Sequence, residues 1–303
     1  MLNATLFLAS ALIWGSTWYV ITFQLGVVPA EWSVAYRFAL SAVAMLAFCL
    51  ATGRRLAFSR IDHLAMAALG LFLFSSNYVL VYWGTHYLTS GLVAVTFSTM
   101  IVFNIFNGVV FLGQSVEPRV AASATGGLIG LILIFWPEFE GFDLTGDTAT
   151  GLAMCLVSSY MASLGNTVAA SARIRALPVV QVNAWGMAYG ALATAFFAWM
   201  TTGGPVLDGS FDYAWSLVYL ALIGSIVAFS CYLALIKRIG IGRAGYVAIA
   251  IPIVALAIST AFEGYQWTPL AVAGLLLVIG GNAAVISRRT RPAPARRCEA
   301  AAE

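Results

Sequence analysis

Residues 63–82 read HLAMAALGLFLFSSNYVLVY, a run without Asp, Glu, Lys or Arg. As a helix rising 1.5 Å per residue, this run reaches about 30 Å, the thickness of a bilayer's hydrocarbon core. Its apolar residues are continuous, whereas a barrel strand would alternate them with polar ones over about ten residues. Only helices and closed barrels satisfy their own backbone in hydrocarbon, so the run predicts a transmembrane helix. Nine further windows of the same character lie near 4–23, 32–51, 90–112, 119–136, 150–170, 181–201, 213–236, 244–262 and 269–287. The chain is 61% hydrophobic and 9% charged, against roughly 25% charge in soluble domains. So little charge cannot cover the apolar surface in water, and the loops are too short to hold a soluble domain. The expectation is an all-α integral membrane protein with ten transmembrane helices.

Charge fixes the expected orientation. With the N-terminus in the cytoplasm, the cytoplasmic loops hold Arg54, Arg55, Arg60, Arg119, Arg173, Arg175, Lys237, Arg238 and Arg243, and the tail adds five more arginines. Every basic residue except Arg37 then lies inside, while Glu31, Glu138, Glu140, Asp143, Asp147, Asp208, Asp212 and Glu263 lie outside. This is the positive-inside pattern, and it predicts a multi-pass membrane protein with both termini cytoplasmic. The net charge of +3 therefore reflects topology and calls for no nucleic-acid partner. The first span lacks the basic start and unbroken core of a secretory signal, so it reads as a retained helix. Cys49, Cys155, Cys231 and Cys298 show no CxxC pairing, and no metal or cofactor is expected.

The spans divide into two halves of five, 1–142 and 143–290, with a basic tail at 291–303 expected to be disordered. Ser158, Ser159 and Tyr160 stand in the sixth span about where Trp14, Gly15 and Ser16 stand in the first. LGQSVEPR (112–119) and FEGYQWTP (262–269) close the fourth and ninth spans. An odd number of spans per half inserts the second half upside down, the inverted repeat typical of secondary transporters.

Three features carry a resemblance: WGST at 14–17, Ile251-Pro252, and Phe262-Glu263-Gly264 in the ninth span. With the two five-span halves, they make the chain similar to the EamA type of the drug/metabolite transporter superfamily, up to about residue 290. Within it the chain most resembles the bacterial aromatic amino acid exporters of the YddG group. The resemblance implies an exporter of the bacterial inner membrane with ten helices around a central cavity. Met100 stands where the second half has Pro252, and Gln114 stands near the place of the family's glutamate, here Glu263.

Helical spacing selects candidate cavity residues. Trp14 and Trp18 share a face of the first span. The third span carries Leu71, Ser75, Tyr78 and Tyr82 on one stripe, with Asn77 on the flank. Buried phenols seek a hydrogen-bond partner, so a wet interior suits this stripe. Met100 and Asn104 follow in the fourth span, Tyr160 and Ser163 in the sixth, Trp185 in the seventh and Phe229 in the eighth. Asparagine and serine also glue helices together, which is the plainer reading of each taken singly. Gly15 and the pair Gly126 and Gly130 would admit close helix approach. Trp32, Trp83, Trp136, Trp199, Trp215 and Trp267 fall near outer span ends, where a headgroup belt is expected. Arg37 is the one cation at depth, either meeting a solute carboxylate or snorkelling outward. Gly242, Gly245 and Pro252 are candidate hinge residues.

The stripes together describe a pocket for a small amphipathic solute with an aromatic or apolar body, and the resemblance implies that this solute is an aromatic or other neutral amino acid. No span carries a central Asp, Glu or Lys for a proton relay, so export is expected to be facilitative and to proceed by alternating access. An intramembrane enzyme would need paired carboxylates, a nucleophile with its base, or a metal cluster, and no such set of catalytic residues assembles here. A channel would show ringed charge or a carbonyl filter, and a broader drug efflux carrier is the nearer alternative. The expected partners are the solute and the bilayer, and the oligomeric state is open, with a monomer sufficient.

Overall fold

The computed structural model describes residues 2–113, 118–134, 136, 146–239 and 247–286, and every regular element among them is helical. Helix α1 (Leu2–Thr22) is followed by α2 (Ala30–Ala51). Helix α3 (Arg60–Thr85) contains a π-helical turn over Phe72–Ser76. Helix α4 (Ser90–Leu112) is interrupted at Ser98 and Thr99. Then come α5 (Pro118–Ile134), α6 (Asp147–Ala170) and α7 (Val179–Thr202). Helix α8 starts at Phe211, passes through a π-helical stretch at Tyr219–Val227 and ends at Ile239. Helices α9 (Val247–Phe262) and α10 (Pro269–Ile286) complete the bundle.

Local chemistry explains the boundaries. Ser59 and Asp62 form a reciprocal capping box at the start of α3. Ser210 caps α8 by accepting from the Tyr213 N–H at 3.3 Å. Pro118 and Pro269 stand first in α5 and α10, where no intrahelical N–H bond is lost. Gly113 ends α4 at φ 62°, a left-handed conformation that favours glycine. In both π-helical stretches a serine hydroxyl donates to the carbonyl five residues back: Ser76 to Leu71 at 3.0 Å and Ser225 to Leu220 at 2.9 Å.

Six helical stretches are long and apolar enough to cross a membrane: α1, α2, α3, α4, α6 and Phe211–Tyr232 of α8. Thr125–Ile134, Ala250–Phe262 and Pro269–Gly280 are shorter apolar stretches. Packing is tightest where glycines remove side chains. A Cβ on Gly70 would overlap the backbone of Gly186 and Gly190 in α7, and one on Gly130 would overlap Gly274 in α10. Gly15 sits against Val254 of α9 as expected, whereas Gly126 has open space around it, so only half of that pair packs a helix.

Helix α1 packs on α8 and α9, α6 packs on α3 and α4, and α2 and α5 pair with α7 and α10. The start of α2 meets the end of α7, where the Trp32 indole donates to the Gly203 carbonyl at 3.2 Å. Trp32 is thus a buried anchor, not a belt residue, because the loop after α7 supplies its acceptor. Trp136, Trp199 and Trp267 are exposed. At one end of the bundle Arg238 donates to Asn3 at 2.6 Å and Arg173 pairs with Asp62 at 2.7 Å. At the other, Tyr36 donates to the Val206 carbonyl at 3.0 Å and Ser90 meets Glu263.

Candidate transport cavity

A cavity of about 260 Å³ lies between α1, α3, α4, α6, α8 and α9. Helix α1 contributes Trp14, Thr17, Trp18 and Ile21. The Trp14 ring meets Phe229 and Tyr232 of α8 edge-on, with centroids 5.1 and 5.2 Å apart. Trp18 packs against Phe97 of α4 at 5.1 Å, and its buried Nε1 has no hydrogen-bond partner. The hydroxyls of this segment are occupied locally. Thr17 donates to the Trp14 carbonyl at 2.7 Å, and Ser16 donates to the Ile13 carbonyl at 2.8 Å while lying 2.7 Å from the Tyr219 hydroxyl. The tryptophans and Thr17 therefore form the wall, with the Thr17 hydroxyl bonded back into its own helix, and Ser16 ties α1 to α8.

Helix α3 faces the cavity with Leu73, Asn77, Tyr78 and Val81. The stripe predicted from regular helical spacing is corrected here. Ser75 does not reach the cavity, because the π-helical turn at Phe72–Ser76 inserts an extra residue and rotates the face, and Tyr82, one regular turn beyond Tyr78, lies at the edge of the lining face and turns toward Gln24. Ser75 instead accepts from Thr194 of α7 at 2.7 Å, and the fully buried Tyr82 donates to Gln24 at 3.0 Å. Leu71 points outward and is exposed. Asn77 lines the wall but spends its amide on packing: Nδ2 donates to the Leu73 carbonyl at 2.9 Å, and Oδ1 accepts from Ser158 at 3.1 Å.

The remaining candidates separate in the same way. Met100 and Phe229 line the cavity. Asn104 lies one step behind the wall, accepting at 3.3 Å from Asn166, which does line it. Ser163 accepts from Asn107 at 2.8 Å, and the Tyr160 ring packs on Phe103 at 5.4 Å; neither lines the cavity. Trp185 is also absent from it. Seven residues into α7, its indole reaches only the loop before α3, donating to the Leu56 carbonyl at 3.1 Å beside His63 and Tyr189. Arg37 does not snorkel, being only 1% exposed inside the bundle. Pro252, with Ile251, lines the cavity from within α9. Gly242 and Gly245 lie outside the described residues.

An interrupted helix and a proline-bearing one meet at this wall. Helix α4 loses its regular bonding at Ser98 and Thr99, flanked by the lining residues Phe97 and Met100. In α9, Pro252 removes a backbone donor. No charged residue lines the cavity among the described residues. Spacing alone missed Ala94, Phe97, Ser98 and Ile101, because the break in α4 is marked only by successive hydroxyls, Ser98 and Thr99, bonded back to Val95 and Thr96.

A ring-lined, uncharged cavity enclosed by membrane-length helices defines a multi-pass membrane carrier. The model of the EamA-like transporter family matches residues 1–136 and again 149–287, and the chain belongs to that family, within the drug/metabolite transporter superfamily. It is 28% identical to YedA of Escherichia coli K12, named an uncharacterized inner membrane transporter, over 88% of this chain and 87% of YedA. It is 22% identical to the uncharacterized transporter YoaV of Bacillus subtilis over 92% and 95% of the two chains. Identity to protein PagO of Salmonella typhimurium is also 22%, over 93% and 95%. A protein of known crystal structure superposes with a TM-score of 0.67 at 15% identity, covering 93% of this chain and 95% of that one, a likeness of fold alone.

Proposed function

We propose that the protein exports small amphipathic solutes with an aromatic or apolar body, aromatic and other neutral amino acids foremost, by facilitative alternating access. The observation that carries this reading is the cavity wall itself. Trp14, Trp18, Phe97, Phe229 and Tyr232 offer ring faces, no fixed charge is present among the described lining residues, and the Trp18 Nε1–H is a donor without an acceptor. Such a surface suits a flat apolar body better than a sugar phosphate or a free ion.

The reading includes ten spans arranged as two inverted five-helix repeats, 1–142 and 143–290, and the packing supports it. Adding five to each helix label turns α1–α8 into α6–α3, α1–α9 into α6–α4 and α2–α8 into α7–α3, and all of these pairs are in contact. Helices five apart that touch run antiparallel. The start of α2 meets the end of α7, Ser90 at the start of α4 meets Glu263 just past α9, and Gly130 near the end of α5 meets Gly274 near the start of α10. The π-helical stretches recur in α3 and α8, also five apart.

In this reading both termini are cytoplasmic. Asn3, Asp62, Arg173 and Arg238 mark the inner face, and the Ser90–Glu263 contact closes the outer end. The wall runs from Ile21, Val81 and Ala94 toward the outer end to Asn166 near the end of α6 and Ile251 near the start of α9. Rocking about the break in α4 and Pro252 in α9 would open the two ends in turn, with Gly242 and Gly245 as further joints. In proteoliposomes, labelled tryptophan and phenylalanine should leave down their own gradients at fixed voltage without an imposed proton gradient. Efflux that requires such a gradient, or that ignores both solutes, contradicts the proposal.

A further inference from the structure

Arg37 is the cation the positive-inside pattern does not explain, and its surroundings are unusual. The side chain is 1% exposed, and no carboxylate pairs with it; the one ion pair among the described residues is Arg173–Asp62. Its Nε donates over a long 3.4 Å to Ser225 Oγ, which already donates to Leu220, and its Nη1 has no partner at all. Aromatic residues hold it instead: the guanidinium carbon lies 4.6 Å from the Tyr78 ring centre and 5.4 Å from that of Phe38, and the Tyr82 hydroxyl stands beside it. Gly224, in the π-helical stretch of α8, lies beside it; a Cβ there would stand 3.7 Å from Nη2, an ordinary contact, and 2.8 Å from Thr17 Cγ2.

Tyr78 belongs to two structures at once. It lines the cavity, and it covers the guanidinium. The cation therefore sits behind the cavity wall with a ring between it and the solute space. A buried ionisable group in a membrane protein is costly unless it is paired, and here the ring faces offset only part of that cost. The planar guanidinium fork matches a carboxylate bidentately.

We propose that Arg37, with Ser225 beside it and Tyr78 as its cover, is a second subsite on the exit path that takes the solute's carboxylate once the Tyr78 ring swings aside. The inference rests on the transport reading above and sharpens its substrate class: the cargo carries a carboxylate as well as an apolar body. The cavity holds the body first. As the outer end opens, the carboxylate replaces the tyrosine face over the guanidinium, so the solute itself supplies the missing counter-charge during the outward stroke.

Two solute pairs test this in proteoliposomes holding the full chain: tryptophan against tryptamine, and leucine against isoamylamine. Within each pair the amine lacks only the carboxylate. The wild type should move the carboxylate member faster by about tenfold. Arg37→Gln should bring that ratio near one, and Arg37→Lys, which keeps the charge but not the fork, should retain part of it. Melting temperatures of both variants identify misfolding, and the within-pair ratio is insensitive to how much protein is active. An Arg37→Gln variant that keeps the wild-type ratio overturns the proposal, as does a wild type that prefers the amines or moves none of the four solutes. Comparing tryptophan with leucine addresses the ring-lined cavity separately: leucine moving without tryptophan removes the aromatic reading and leaves the carboxylate ratio measurable.

Discussion

The two ends of the solute path are built differently. At the cavity, Trp14 meets Phe229 and Tyr232 edge-on, Trp18 packs at a tilt against Phe97, and few polar atoms face one another. Toward the Ser90–Glu263 end, polar side chains are bonded in series. Tyr82 donates to Gln24, Gln24 donates to Ser216 at 3.3 Å, and Ser33 lies 3.0 Å from the Tyr213 hydroxyl. Glu263 receives both the backbone N–H and the hydroxyl of Ser90 at the start of α4, where a helix favours negative charge. Rings without partners form a surface that a solute can use. Hydrogen-bonded side chains form a plug, because opening it strands every donor and acceptor that water does not immediately reach.

Substitutions break or sharpen this contrast in graded fashion. The largest effect is expected below both ends, at the helix contact that supports them. Gly70→Leu forces a side chain into the backbone of α7. The cost should reach or exceed the upper part of the ~1–3 kcal/mol range for overpacking, seen as loss of monodisperse protein in detergent. Trp14→Ala removes the central ring of the cavity and should lower tryptophan efflux by roughly tenfold, about 1.4 kcal/mol. Trp14→Phe should recover most of the rate, and equal rates in all three forms would take Trp14 out of the solute site. Glu263→Ala strands the donors of Ser90, so a loss of about 1–3 kcal/mol in thermal stability is expected. It should be accompanied by faster labelling of Leu88→Cys by an impermeant thiol reagent. Ser75→Ala should be the mildest, near 0.6 kcal/mol with efflux unchanged, since Thr194 still donates to the Gly190 carbonyl at 2.8 Å.

The contrast also marks what could be read from the sequence. Long apolar runs announce helices wherever lipid is the solvent, so residues 63–82 and the five other membrane-length helical stretches were legible at once. Trp14, Trp18, Asn77, Tyr78, Met100 and Phe229 were reached by spacing along single helices, and all six line the cavity. Ser75 was not, because the periodicity that selected it fails across the π-helical turn at Phe72–Ser76, and Tyr82 was not, because its hydroxyl is taken by Gln24, far away along the chain. The bonding in that turn depends on α6 and α7 packing around it, and no local residue pattern encodes it. Trp185 and Ser163 failed for a related reason: their acceptors and donors, Leu56 and Asn107, lie far away along the chain. Arg37 stood out by its charge, but its cover by Tyr78 depends on how α2 and α3 cross.

The account depends above all on the solute occupying the space beside Met100 and Trp14. A single cysteine reads this directly: Met100→Cys in a background lacking Cys231 and Cys298, since Cys49 and Cys155 are buried. The account predicts that a small thiol reagent modifies this position and that saturating tryptophan or phenylalanine slows the reaction, while Ser75→Cys in the same background scarcely reacts. Modification of Met100→Cys at one unchanging rate with every solute, or protection at Ser75→Cys instead, would contradict it.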